Sequence, residues 1–309
     1  MTNLLDLITP TNLEVEREKF FAQANYNPIF HYIWQDQKID PVFGIKKKYP
    51  LWDSIKQQDH YLIMESASDL FEVRISEDMV DRALQVSGTE GDRSTGDIKD
   101  LVSAFSEAFT YFNLDYTTKV VSDSGFNIRP KHESQELIIS NKIHFEYFSV
   151  NAEVHHELVH ILRYVNGKHN EVARSQRFLA TEEGLASWCQ DHTNNDLSQV
   201  QHAMEYVASA VGIGSGLREV YECFVAMGTS KELAWKRACR HKFGFVDTSL
   251  PGDILKPAMY FDSSEKVSKL TTDEKVRLFR GKIAISELAK YPTYSGLWPA
   301  DKLISYFKL

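Results

Sequence analysis

Cysteine is scarce in this chain of 309 residues: Cys189, Cys223 and Cys239 make up its total of three. An odd number without C-x-x-C spacing excludes a disulfide framework and a zinc knuckle, and predicts reduced, packed thiols. Proline (9) and glycine (15) are few and scattered, so no flexible linker, low-complexity tract or repeat divides the chain. Positive charge is in deficit: 35 Lys+Arg against 43 Asp+Glu leave a net charge of −8. That balance argues against a protein whose main task is holding nucleic acid, because phosphate neutralisation needs a cationic excess. No apolar run approaches the roughly 18 residues of a membrane span, and the opening MTNLLDLITPTNLEVEREKF lacks the basic and apolar regions of a signal peptide. The expectation is a cytoplasmic protein with neither nucleic acid nor membrane as partner.

What is present is enough apolar material, 43% of residues, to build a core without covalent help. Residues 1–115 carry mainly helical patterns, with the segment 88–96 (GTEGDRSTG) as a loop. From Thr117 to Phe145 the stretches TTKVVSD and QELIISNKIHF are rich in β-branched residues and flank the turn-prone DSG and RPKHES, which predicts two or three strands. After Ser149 helical periods return. Leu217, Val220, Tyr221, Phe224 and Val225 form one apolar stripe, and capping boxes are legible at Thr229 with Glu232 and at Thr271 with Glu274. The expected architecture is α+β, mainly helical, with a small and mostly antiparallel sheet. Residues 1–115 would form an N-terminal helical region and 116–309 the functional region, packed as one compact unit.

The chemistry is concentrated in VHHELVHILRYV, residues 154–165, where His156-Glu157-Leu158-Val159-His160 is an HExxH motif. On a helix, i and i+4 lie about 40° apart around the axis, so both imidazoles can reach one zinc ion while the adjacent glutamate handles a bound water. A helical wheel puts Val154, Leu158, Ile161, Leu162 and Val165 on one face and His156, Glu157 and His160 nearly opposite. The helix is apolar behind and ligand-bearing in front, and Asn166-Gly167 predicts its C-terminal stop. His155 could pair with His160 only through a π-bulge, so it reads as a packing residue, a hydrogen-bond partner of a ligand, or an alternative first ligand.

Hydrolytic zinc usually has three protein ligands and an open fourth position. The run Ala180-Thr181-Glu182-Glu183-Gly184-Leu185-Ala186 supplies the acidic candidates, and spacing does not choose between Glu182 and Glu183. Both would otherwise be ordinary acids near a helix N-terminus.

Taken together, VHHELVHILRYVNG followed by ATEEGLA resembles the microtubule-associated tyrosine carboxypeptidases and their bacterial relatives, labelled by a QEGLA motif. Tyr26-Asn27-Pro28, residues 216–238, Lys256 with Tyr260, and LFRGKIAISEL at 278–288 extend the likeness over most of the chain, strongest from Val154 onward and weak between residues 35 and 115. The resemblance implies a zincin-like fold, one zinc per chain held by His156, His160 and Glu183, Glu157 as the base, and Glu182 where glutamine is usual. It also implies that Tyr260 donates to the oxyanion and that Lys256 and Arg163 contact a substrate carboxylate. The plain readings beside these are a buried tyrosine, a solvated lysine and an ion pair supporting the fold.

Two departures stand out. The family pattern is HExxxH, one residue longer than the motif here, so an alternative register makes His155 the first ligand and puts His156 in place of the glutamate. The family's KDxxY element is Lys256-Pro257-Ala258-Met259-Tyr260, without the aspartate. The activity implied is that of a zinc metallopeptidase of the gluzincin kind, a carboxypeptidase acting on the C-terminal residue of a peptide or protein, aromatic residues included. The strand from Gln135 to Phe145 would lie beside the cleft and pair with substrate. The competing expectation is a non-catalytic, zinc-binding regulatory protein on a peptidase-like fold.

Overall fold

The computed structural model describes residues 4–36, 50–87, 96–122, 127–143, 149–193 and 197–309. The loop expected at 88–96, apart from Gly96, lies outside the described residues, as do His144 and the end of the strand at Phe145. Helices α1 (Leu4–Ile8), α2 (Leu13–Ala22), α3 (Ile33–Asp36), α4 (Pro50–Gln57), α5 (His60–Phe71), α6 (Glu77–Val86) and α7 (Ile98–Phe112) come first. Strands β1 (Thr117–Val121), β2 (Ile128–Lys131) and β3 (Glu136–Ser140) follow. The chain then returns to helices: α8 (Val150–His169), α9 (Phe178–Thr193), α10 (Leu197–Gly212), α11 (Leu217–Ala226), α12 (Lys231–His241), α13 (Lys256–Ser268), α14 (Thr272–Leu278) and α15 (Ala300–Phe307). None of the described helices is long and apolar enough to cross a membrane. The protein is therefore α+β and mostly helical.

Its residues fall into two compact units, each made from separated stretches of chain: 1–89 with 201–259, and 90–200 with 260–309. The 1–115 stretch is thus shared between them, and α10 and α13 each run from one unit into the other.

In the first unit the α11 stripe is as expected, with Leu217, Val220, Tyr221 and Phe224 buried and Val225 at its exposed margin. The expected box at Thr229 does not form. Ser230 caps α12 instead, accepting from Leu233 N, while Glu232 pairs with Arg17. Serine is as good a cap as threonine, and the neighbouring arginine takes the carboxylate the box would have needed. Charge is also buried here. His241 donates from Nε2 to Glu205 (2.8 Å) and from Nδ1 to Asp253 (2.7 Å), so the ring is held as an imidazolium. Burial pushes its pKa down, but the two carboxylates outweigh this and raise it to about 9. Lys242 Nζ is caged by the carbonyls of Gly212, Ser215, Leu250 and Gly252.

The second unit holds the sheet. Its order is β1-β3-β2, with β3 antiparallel to β2 and parallel to β1. The sheet is therefore mixed rather than mostly antiparallel, because the β2–β3 hairpin folds back so that β3 enters between β1 and β2, running in the direction of β1. This also corrects the strand expected to receive substrate: β3 is central, paired on both sides, and among the described residues β2 is the outer strand packed near α8. Helix α7 starts on a capping box between Asp97 and Asp100 and ends at Asn113 in the left-handed region. Its buried Leu101, Phe105, Ala108, Phe109 and Phe112 meet Val154, Leu158, Ile161 and Leu162 of α8, the face the wheel assigned to the core. Each of these side chains larger than Ala108 contributes about 1.5–3 kcal/mol through burial. The box at Thr271 and Glu274 forms as expected. All three cysteines are free, with Cys189 and Cys239 buried.

Candidate metal centre

Helix α8 runs to His169, past the stop expected at Asn166-Gly167. The dipeptide serves a tertiary contact instead. A Cβ on Gly167 would lie 3.3 Å from Gly281 Cα, and one on Gly281 only 3.0 Å from Gly167 Cα, so the two backbones touch. Asn166 Nδ2 donates to Phe279 O at 2.8 Å, tying the helix to the same segment. That segment carries Lys282 toward the site.

With α8 fixed on its apolar face, His156 and His160 project from the other one, their ring centroids 5.1 Å apart. Glu183 comes from α9, the helix packed most extensively on α8. Its Oε2 lies 3.6 Å from His156 Nε2 and 3.7 Å from His160 Nε2. A tetrahedral zinc with bonds near 2.0–2.2 Å spans ligand separations of about 3.3 Å, so a contraction of a few tenths of an ångström closes the shell. One ligand atom from each of the three residues lies within 4.8 Å of the other two, the one such His/Cys/Asp/Glu group among the described residues. Two imidazole nitrogens and one carboxylate oxygen suit zinc, with a fourth position left for water or substrate. The side chains keep 13–15% exposure, enough for approach from solvent.

The choice spacing could not make falls to Glu183, and Glu182 takes a different place. Its Oε1 accepts from His160 Nδ1 (2.9 Å) and Lys282 Nζ (2.6 Å), and its Oε2 lies 3.4 Å from Arg163 Nη1. Burial would raise this carboxyl, but the His160 hydrogen bond and the charges of Arg163 and Lys282 hold it far below the ordinary range. Behind the other ligand, His156 Nδ1 donates to Gln190 Oε1 at 2.9 Å, and Gln190 Nε2 donates to Glu153 at 3.2 Å. Burial pushes the His156 imidazole down and the Glu183 carboxylate pulls it up to about 9. Glu157 follows His156 on α8 and is half-buried. Burial lifts its carboxyl above the usual value, with His160 and His156 acting in the opposite sense.

His155 points elsewhere. It is buried, stacks on Tyr306 with centroids 5.0 Å apart, and its Nδ1 donates to Asn151 O at 2.7 Å. The register in which His155 would be first ligand therefore does not match the fold. Arg163 is also withdrawn: fully buried, it spends its donors on the carbonyls of Leu278 (3.0 Å), Gly281 (3.1 Å) and Ile283 (2.6 Å). It pins the 278–283 segment instead of facing substrate.

Lys256 and Tyr260 lie one turn apart on α13, in the first and second unit respectively. Three residues beyond Tyr260, Ser263 packs so closely on Gly184 that a Cβ there would meet Ser263 Cβ at 2.6 Å. The glycine after Glu183 thus lets α13 approach the turn of α9 that carries Glu183.

Sequence reasoning missed Gln190, Glu153, Lys282 and His132. Gln190 had a local signal, being two turns beyond Glu183 on one helix, whereas Lys282 had none. His132, in the β2–β3 turn, accepts from or donates to Tyr116 Oη at 3.0 Å and stacks on Tyr164 (4.0 Å, 8° between planes). Burial depresses it to about 4, with Lys282 acting in the same sense. It lines a cavity of about 440 Å³ with Tyr116, Tyr164, Lys168 and His169. No protein-family model matches the chain, and no curated protein matches it.

Proposed function

We propose that the protein is a zinc-dependent metallopeptidase with a zincin-like catalytic unit, acting as a carboxypeptidase on the C-terminal residue of a peptide or protein. The observation that carries this reading is the His156–His160–Glu183 triangle, with the half-buried Glu157 carboxyl electrostatically coupled to all three of its residues. The residue classes match those of hydrolytic zinc, and the assignment to a carboxypeptidase follows the likeness of the two motifs to the tyrosine carboxypeptidase family. Zinc, when bound, supplies Lewis acidity toward the scissile carbonyl and makes its water more acidic.

Glu157 takes the water proton and passes it to the leaving amine. A carboxyl whose burial lifts its pKa suits a group that must hold a proton for part of the cycle. Tyr260 is assigned the donor to the oxyanion and Lys256, one turn away, the substrate carboxylate. Substrate backbone is assigned to the outer edge of β2. Ser140 N donates to Asn127 O, so by strand alternation Ile128 and Pro130 turn their backbone groups outward. Pro130 has no N–H, which leaves the Ile128 N–H and two carbonyls for pairing.

The competing reading, a zinc-binding regulatory protein that cuts nothing, draws on the burial of Arg163, which removes one cation from substrate recognition. Incubating wild type and Glu157→Gln with peptides of varied C-termini separates the two. Loss of single terminal residues by wild type alone supports the carboxypeptidase. Zinc in both proteins with cleavage by neither supports the regulatory reading, and equal cleavage by both removes Glu157 from its role.

A further inference from the structure

We propose that Gln190 and Lys282 are positioning residues for the metal, Gln190 fixing His156 directly at Nδ1 and Lys282 fixing His160 through Glu182, and that they make the two histidines unequal ligands. The proposal rests on the metal-binding reading above and deepens it. A carboxylate only accepts hydrogen bonds, so Glu153 forces the Gln190 amide to turn its Nε2 toward it. The amide oxygen is then left for His156, and only an Nδ1–H can satisfy it. When a metal takes the place of the Nε2 proton, the proton that remains is held on Nδ1 and the lone pair is on Nε2, the atom that faces Glu183.

The same logic holds on the other side with different parts. Lys282 is donor-only and shares Glu182 Oε1 with His160, while Arg163 lies against Oε2. Both carboxylate oxygens are engaged, so Glu182 cannot rotate, and His160 Nδ1 must donate to it. His160 Nε2 is then the nitrogen left to bind a metal, and it too faces Glu183. His160 is backed by a charged carboxylate and His156 by a neutral amide, so the two are held by unequal partners and His160 is the stronger electron donor to a bound metal. Lys282 reaches this network because the Gly167–Gly281 contact brings its backbone against α8. Lys282 acts only through Glu182, and Gln190 touches the triangle only at His156 Nδ1, the ring nitrogen turned away from Glu183.

The test is zinc affinity, measured by competition with a chromophoric chelator on metal-free protein, with the absorption spectrum of the cobalt-substituted form as second readout. Lys282→Met and Gln190→Leu should each weaken zinc binding by roughly 10–100-fold and alter the cobalt bands. Lys282→Arg, which keeps a donor on Glu182, should recover most of the loss. The double exchange Gln190→Glu with Glu153→Gln, which keeps one donor facing one carboxylate, should strengthen His156 as a ligand and shift the cobalt spectrum in the opposite sense from Gln190→Leu. Circular dichroism of the metal-free variants identifies any that fail to fold, and the double exchange then carries the test. Wild-type affinity and an unchanged cobalt spectrum in folded Lys282→Met and Gln190→Leu would overturn the positioning roles while leaving the metal site standing. Absence of zinc binding by wild type would overturn both.

Discussion

Arg163 offers the sharpest contrast between what resemblance implies and what the fold uses. Replacing it with leucine removes a guanidinium that donates to three backbone carbonyls at 2.6–3.1 Å and faces Glu182 at 3.4 Å. Burial alone lowers its pKa, and the Glu182 charge opposes that, so the two side chains depend on each other. Breaking a buried pair by removing one member costs about 3–5 kcal/mol, because the remaining charge and carbonyls stay desolvated. A loss of that size lowers the melting temperature on the order of 10 °C. Urea and thermal unfolding of metal-free wild type and Arg163→Leu measure it. A residue that binds substrate would behave otherwise: stability within about 1 kcal/mol of wild type, with KM raised and kcat preserved. That outcome would refute the structural role.

Two further predictions concern stability. His241 has its pKa raised from an unfolded value near 6.5 to about 9 by Asp253 and Glu205. Its contribution, of about 3 kcal/mol at most, is present in full below the unfolded pKa and is lost as pH rises through 9. Unfolding free energies of wild type minus His241→Gln should converge across that window, and a constant difference would rule out the linkage. In Gly184→Ala the new Cβ meets Ser263 Cβ at 2.6 Å and its backbone at 2.7 Å. Parting α9 from α13 should cost about 1–3 kcal/mol and weaken zinc binding through Glu183. An alanine variant with wild-type stability and metal affinity would show the contact to be slack.

What the sequence made legible was local. HExxH, its apolar back face and the Thr271 box follow from spacing within one or two helical turns, and the structure keeps all three. What escaped depended on contacts between elements. Which of Glu182 and Glu183 faces the histidines is set by how α9 rolls against α8. Gly167 looks like a helix stop until Gly281 lies against it, and Arg163 looks available until the carbonyls of 278–283 surround it. The strand order β1-β3-β2 leaves only a short mark, the unbroken apolar run Leu137-Ile138-Ile139 of β3, buried on both faces; a run that short does not by itself tell a central strand from a buried helical segment. Lys282, far along the chain from Glu182, had no partner spacing to reveal it.

The central claim is that His156, His160 and Glu183 hold one metal ion while Glu157 remains free to move a proton. Metal content by mass spectrometry on purified wild type, Glu157→Gln and His160→Ala addresses it directly. The account predicts about one zinc per chain in wild type and in Glu157→Gln, and a large loss in His160→Ala with the fold retained. Equal zinc in wild type and His160→Ala, or none in wild type after zinc is supplied, would contradict it.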